Sequence, residues 1–201
     1  MTPDEAYHWL IGEGDASFEK HVLASILALS LAEGYELGRP LNEMAGYDGL
    51  PELLAAMFPH AVSALAGMSA LQRETDETCL FDLLLSGTSD GSALQKLLAS
   101  LIARRAQRPN HLWQDLGLRS RAELSELMAT HFAPLARRNR SDMKWKKFFF
   151  RTLCSDEEYV LCMAPSCGEC TDFDNCFGEE NGESFLAQLR RDGERALEAP
   201  R

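Results

Sequence analysis

No stretch of this sequence approaches the ~18 consecutive apolar residues that a membrane-crossing helix requires. The longest apolar-rich run near the start, residues 22–32, is broken by Ser25 and Ser30 and preceded by Glu19, Lys20 and His21. The opening residues carry Asp4 and Glu5, the wrong sign for a secretory leader, whose first segment is basic. A soluble cytosolic protein is expected. No alternating apolar–polar stretch of useful length occurs either, so strands are not expected. There is no internal repeat, no phosphate-cradling glycine loop and no legible nucleophile–base pair, so nothing points to an enzyme. Nucleic acid is a poor partner, because acidic segments flank the one basic segment and no basic–aromatic binding motif is found.

What is present suits one domain, or one domain with a small appendage. The chain has 201 residues, of which 45% are apolar, enough for a sizeable core. Phe18, Val22, Ile26 and Leu29 recur at helical spacing behind Asp15 as cap, with Gly34 as the stop. Gly38, Pro40, Gly46 and Gly49 read as a loop, and a short helix starts around Pro51. Residues 60–71 are Ala-rich and read as helical, and residues 76–86 give an amphipathic turn or two before Gly87. Ser92 caps a helix with the stripe Leu94, Leu97, Leu98, Leu101 and Ile102. Ser120 and Glu123 form a capping-box pattern ahead of Leu124, Leu127, Met128, Phe132 and Leu135. Asn139 or Ser141 caps a last core helix containing Trp145, Phe148, Phe149 and Phe150.

After Cys154 the pattern changes. Pro165, Gly168, Asn175 and Gly178 punctuate a segment without helical period, and Phe185, Leu186 and Leu189 mark a closing amphipathic helix. The expected fold is all-α: a bundle-like helical body over residues 1–155. Residues 156–201 then form an irregular four-cysteine metal loop and a C-terminal helix, packed with the body as one unit.

The charge is unevenly spread. The net charge is −11, yet residues 101–155 hold 12 bases and 4 acids, while residues 1–100 hold 4 bases and 15 acids. Residues 156–201 are acidic again, with 12 acids and 4 bases. Three differently solvated surfaces would account for this; the alternative is that the basic segment faces something anionic.

The six cysteines carry the most information. Cys79 stands alone, Cys154 lies just upstream of a cluster, and Cys162, Cys167, Cys170 and Cys176 fall within fifteen residues at Cys-x4-Cys-x2-Cys-x5-Cys spacing. Disulfides are disfavoured in a reducing compartment, and a framework of them would spread its cysteines along the chain. Thiolates bind soft metals, and a Cys-x2-Cys turn converges two sulfurs on one centre. Structural zinc usually takes two knuckles separated by a longer linker, whereas one crowded loop better wraps a multi-atom cluster. Iron–sulfur is therefore favoured over zinc, and a thioredoxin-like pair at Cys167 and Cys170 lacks its βαβ surroundings. Cys154 is close enough to act as an additional ligand, and Cys79 reads as structural. His111 is a further candidate donor; His131 sits among apolar helical positions and reads as packed.

The segment from His111 onward resembles the NifQ family of nitrogen-fixation proteins. The residues carrying the resemblance are His111, Trp113, Asp115, Gly117 and Leu118, then Met143 to Lys147 and Arg151, then Leu153 and Cys154. The four-cysteine loop follows in the family's order, with Ala164, Pro165 and Ser166 before Cys167, and Phe177 and Gly178 after Cys176. The resemblance implies a non-enzymatic carrier that binds a molybdenum–iron–sulfur cluster. It implies donation of molybdenum for the nitrogenase iron–molybdenum cofactor, with the NifEN scaffold and the nitrogenase iron protein as recipients. Cys162, Cys167, Cys170 and Cys176 are then the cluster ligands. Lys144, Lys147 and Arg151, at i, i+3 and i+7, share one helix face leading into the loop, where cations ease the holding of an anionic cluster or molybdate. Lys146 points elsewhere. The alternatives on residues alone are an iron–sulfur electron-transfer protein and a zinc-stapled interaction module.

Overall fold

The computed structural model describes residues 1–13, 16–66 and 70–156, with side chains as far as Leu153. Among these residues the secondary structure is entirely helical, as expected. The helix α1 (Pro3–Ile11) is fixed by a capping box in which Thr2 and Glu5 satisfy each other's backbone N–H groups. No helix of the described residues is long and apolar enough to cross a membrane.

The organising element is α2 (Phe18–Leu37). Its residues from His21 to Ser30 are all buried, because apolar or small side chains surround it on every side rather than forming one stripe. Ser17 caps it through the Lys20 N–H, and Gly38, at φ 64°, ends it. Gly34 is therefore not the stop expected from the sequence. It sits inside the helix because a Cβ there would come within 2.7 Å of the Arg39 carbonyl oxygen. Asp15, the expected cap, lies outside the described residues.

The segment read as a loop contains a further helix, α3 (Leu41–Ala45), and α4 (Glu52–Met57) follows. The Ala-rich stretch forms less helix than expected: one 3-10 turn at Pro59–Ala61 and α5 (Val62–Leu65). Pro59 lacks the N–H that would extend α4, so the chain restarts in a separate turn there. Helix α6 (Thr75–Ser86) packs against α7 (Ala93–Arg105), whose Ser92 cap accepts from Gln95 N–H as expected. A short α8 (Leu112–Asp115) leads to α9 (Arg121–His131). Ser120 caps α9, but the Glu123 carboxylate reaches back to the Arg119 N–H at 2.8 Å rather than to that of Ser120.

The apolar run through Phe132 and Leu135 is not one helix. Phe132 breaks it at φ −133°, and α10 (Ala133–Arg138) restarts with Pro134 in its first turn. The last described helix is α11 (Trp145–Asp156). Asn139 and Ser141 both lie too far upstream to be its N-cap. Asn139 instead clasps Met143, accepting its N–H at 2.9 Å and donating to its carbonyl at 2.8 Å.

The helices share one apolar core running from Ala6 to Phe149, in which Phe58, Phe132 and Phe149 are fully buried. Gly117 lets residues 116–118 press against α2. Its φ is +72°, and a Cβ there would lie 2.9 Å from the Ser25 carbonyl oxygen, so only glycine meets both demands.

Candidate metal centre

Cys162, Cys167, Cys170 and Cys176 lie outside the described residues, and so does everything expected of the segment after Asp156. The structure shows the platform that delivers the chain to them. Helix α11 ends six positions before Cys162, with the backbone of Cys154 in its last turn. Trp145, Phe148, Phe149 and Thr152 are buried, forming the stripe that packs α11 against α6. The Trp145 ring meets Phe148 edge-on at 5.8 Å and leans on Phe149 at 5.8 Å. Such aromatic contacts fix orientation as well as burying area.

Of the cations expected on one helix face, Lys147 and Arg151 lie on α11, exposed and half-buried, whereas half-buried Lys144 immediately precedes the helix. Lys146 does point elsewhere: its ammonium pairs with the Asp115 carboxylate and donates to the Arg108 carbonyl. Asp115 is almost wholly buried; its second oxygen accepts from Asn110 Nδ2 at 3.0 Å. Its carbonyl accepts from Arg105 Nε at 2.6 Å. Arg105, 1% exposed, places both guanidinium nitrogens on Glu33 at 2.8 Å, and Arg108 adds a contact at 2.9 Å. A chain of ion pairs and hydrogen bonds thus runs from α2 through α7 and α8 to the second residue of α11. The residues of the two family-like segments, Asp115 and Lys146, meet within it.

This chain sets an acid limit on the platform. Burial pushes the Glu33 carboxyl up, but the hydrogen bonds and charge of Arg105, with the charge of Arg108, outweigh it and hold the group below its usual range. A carboxyl lowered by folding contributes stability that is fully present above its unfolded value of ~4.3 and is lost as pH falls through the folded value. Glu33→Gln is therefore expected to have a lower urea midpoint than the parent at neutral pH and to converge on it as pH falls through the lowered folded value. A gap that persists unchanged into acid would remove this account.

Other sequence-flagged residues take structural places. His111 is the N-cap of α8, in a reciprocal cap where its N–H donates to Gln114 Oε1 at 3.2 Å. His131 is buried, 3.8 Å from Glu19. Cys79 is half-buried on α6. Glu77, almost fully buried on α6, receives Arg104 at 3.0 Å and Arg73 at 3.5 Å, which ties α6 to α7. Burial nonetheless prevails over those two arginines and pushes the Glu77 carboxyl up. His21 on α2 joins Tyr7 Oη at 2.8 Å to Glu123 at 3.3 Å, linking α1, α2 and α9. Among the described residues no group of three or more His, Cys, Asp or Glu is placed to hold a metal ion.

The comparisons with known proteins agree with the family resemblance. The family model described as NifQ matches residues 22–178. A protein named as a NifQ homolog from Sinorhizobium fredii is 38% identical over 181 residues, covering 88% of this chain and 79% of the relative. The NifQ protein of Rhodobacter capsulatus is 42% identical over 106 residues, 52% of this chain and 58% of the relative. That of Azotobacter vinelandii is 41% identical over 98 residues, about half of each chain. No solved structure matches.

Proposed function

Because the chain belongs to the NifQ family of nitrogen-fixation proteins, we propose that it carries a molybdenum–iron–sulfur cluster and gives up its molybdenum for building the nitrogenase iron–molybdenum cofactor. It acts as a carrier rather than a catalyst, and the cluster is its cargo. The observation supporting this is the placement of Cys162, Cys167, Cys170 and Cys176 inside the family-matched region, at spacings that suit a cluster rather than paired zinc knuckles. Cys154 and His111 are the reserve donors. Lys144, just before α11, and Lys147 and Arg151 on it supply positive charge on the approach to the loop, lowering the cost of holding an anionic cluster or a molybdate dianion. The recipients are the NifEN scaffold and the nitrogenase iron protein.

The test is elemental analysis of protein purified without oxygen. Molybdenum together with iron and acid-labile sulfide is expected. Iron and sulfide alone would replace the carrier with an electron-transfer protein, and zinc would replace it with a metal-stapled interaction module.

A further inference from the structure

Seven arginines of the described residues meet a carboxylate. Arg39 pairs with Glu43, Arg73 and Arg104 with Glu77, Arg105 and Arg108 with Glu33, Arg119 with Glu123, and Arg121 with Asp142. Arg137, Arg138 and Arg140 do not: all three are exposed, and no carboxylate of the described residues lies within ion-pair distance of them. They are also neighbours. Arg137 and Arg138 form the last turn of α10, and Arg140 sits in the turn that Asn139 closes onto Met143. That clasp lays the start of α11 beside the end of α10. Exposed Lys147 is the third residue of α11, four positions after Met143.

The sign of this stretch is opposite to that of the rest of the sequence, where residues 1–100 hold 15 acids and 4 bases. Between Arg137 and Arg151 there are seven cations and one acid, Asp142. That acid is already held by Arg121 at 2.8 Å, which also fixes the turn to α9. Lys146 is spent on Asp115. What is left outward is positive charge on a braced turn, in a chain of net charge −11.

From this arrangement we propose that Arg137, Arg138, Arg140 and Lys147 form a docking surface for an acidic face of a partner protein. Resting on the carrier reading above, it assigns the surface through which the carrier meets its recipient. Small oxyanions are not its ligand, because the four side chains are exposed, and a small anion is held well only at a desolvated point. Nucleic acid is disfavoured because no basic–aromatic binding motif accompanies the patch. An acidic protein face needs no deep contact. Complementary charge raises the association rate, with a reach of ~10 Å at 0.1 M salt.

The experiment compares the full chain with an R137Q/R138Q/R140Q/K147Q variant and with Lys96→Gln, an exposed lysine on α7, as control. Fluorescent poly-L-glutamate serves as a generic acidic surface, duplex DNA as the competing class, and the NifEN scaffold as the recipient. The parent and Lys96→Gln are expected to bind poly-L-glutamate at low salt, and the fourfold variant at least tenfold more weakly with an unchanged melting temperature. Association of the variant with the scaffold should slow several-fold at low salt, the difference closing at high salt. Equal poly-L-glutamate binding by parent and variant overturns the surface, and tighter binding to DNA overturns the partner class. Loss of poly-L-glutamate binding with undiminished association to the scaffold overturns the assignment of the surface to that recipient. Metal content as expected in all three proteins keeps any such failure separate from the cluster assignment, whose own failure shows in the elemental analysis.

Discussion

Alanine at any one of Cys162, Cys167, Cys170 or Cys176 is expected to strip the protein of most of its metal. Each thiolate supplies a coordination bond that a methyl group cannot, and four ligands in one loop leave little redundancy. Because unoccupied thiolates and a half-wrapped cluster are both open to oxidation, the loss should be larger after exposure to air than under anaerobic handling. The body that precedes the loop has its own core from Ala6 to Phe149. These variants should therefore keep far-ultraviolet dichroism and a cooperative melt while losing iron, sulfide and molybdenum. Cys79→Ala is the control: half-buried on α6, it should retain metal and cost about 1 kcal/mol of packing. Full metal content in two or more of the four ligand variants would sink the ligand assignment.

The largest effect on the body itself is expected from Arg105→Ala. Arg105 is 1% exposed and holds Glu33 through both guanidinium nitrogens, and the backbone carbonyl of Asp115 through the third. Removing it leaves a carboxylate with only Arg108 opposite it and a buried carbonyl without its donor. Breaking a buried ion pair from one side costs ~3–5 kcal/mol, and with Glu33 25% exposed and still opposite Arg108 the lower end is expected. That is a large share of the ~5–15 kcal/mol that holds a domain folded. The double variant Glu33→Gln with Arg105→Met should recover part of this loss, since no uncompensated charge is then buried. Urea unfolding of the three proteins decides it. A cost under about 1 kcal/mol for Arg105→Ala, or a double variant worse than the single, would show that the charges are not coupled as the distances suggest.

The sequence made the capped helices legible and hid the lateral contacts. Ser92 and its apolar stripe identified α7 because cap and periodicity agree over thirteen residues. Helix α1 was passed over, although Thr2 and Glu5 hold the capping-box spacing, because its nine residues place Tyr7, Trp9 and Ile11 among charged neighbours. Gly34 misled because a glycine within a helix resembles a stop unless the nearby Arg39 carbonyl is known. The break at Phe132 was signalled by Pro134 but overridden by the apolar spacing around it. For the site, the cysteine spacing and the cations of α11 were readable from order alone. The line from Glu33 through Arg105 and Asp115 to Lys146 was not, since its members pair across 72 and 31 positions. Periodicity says which face of a helix is apolar, and nothing about which distant charge will meet it.

The buried stretch of α2, residues 21–30, also bears on how the protein is made. Its first neighbour, α1, is already synthesised when α2 leaves the ribosome, but Arg105 and Glu123 lie 72 and 102 positions beyond their α2 partners. At ~5–20 residues per second the nascent chain holds a greasy cylinder, clothed on one side only, for roughly 5–20 s before Glu123 is made. Closing such distant contacts is slow in itself, because the loop entropy must be overcome before burial rewards it. Synthesis thus passes through an interval in which α2 is the most adhesive object in the chain, a natural client for holding chaperones.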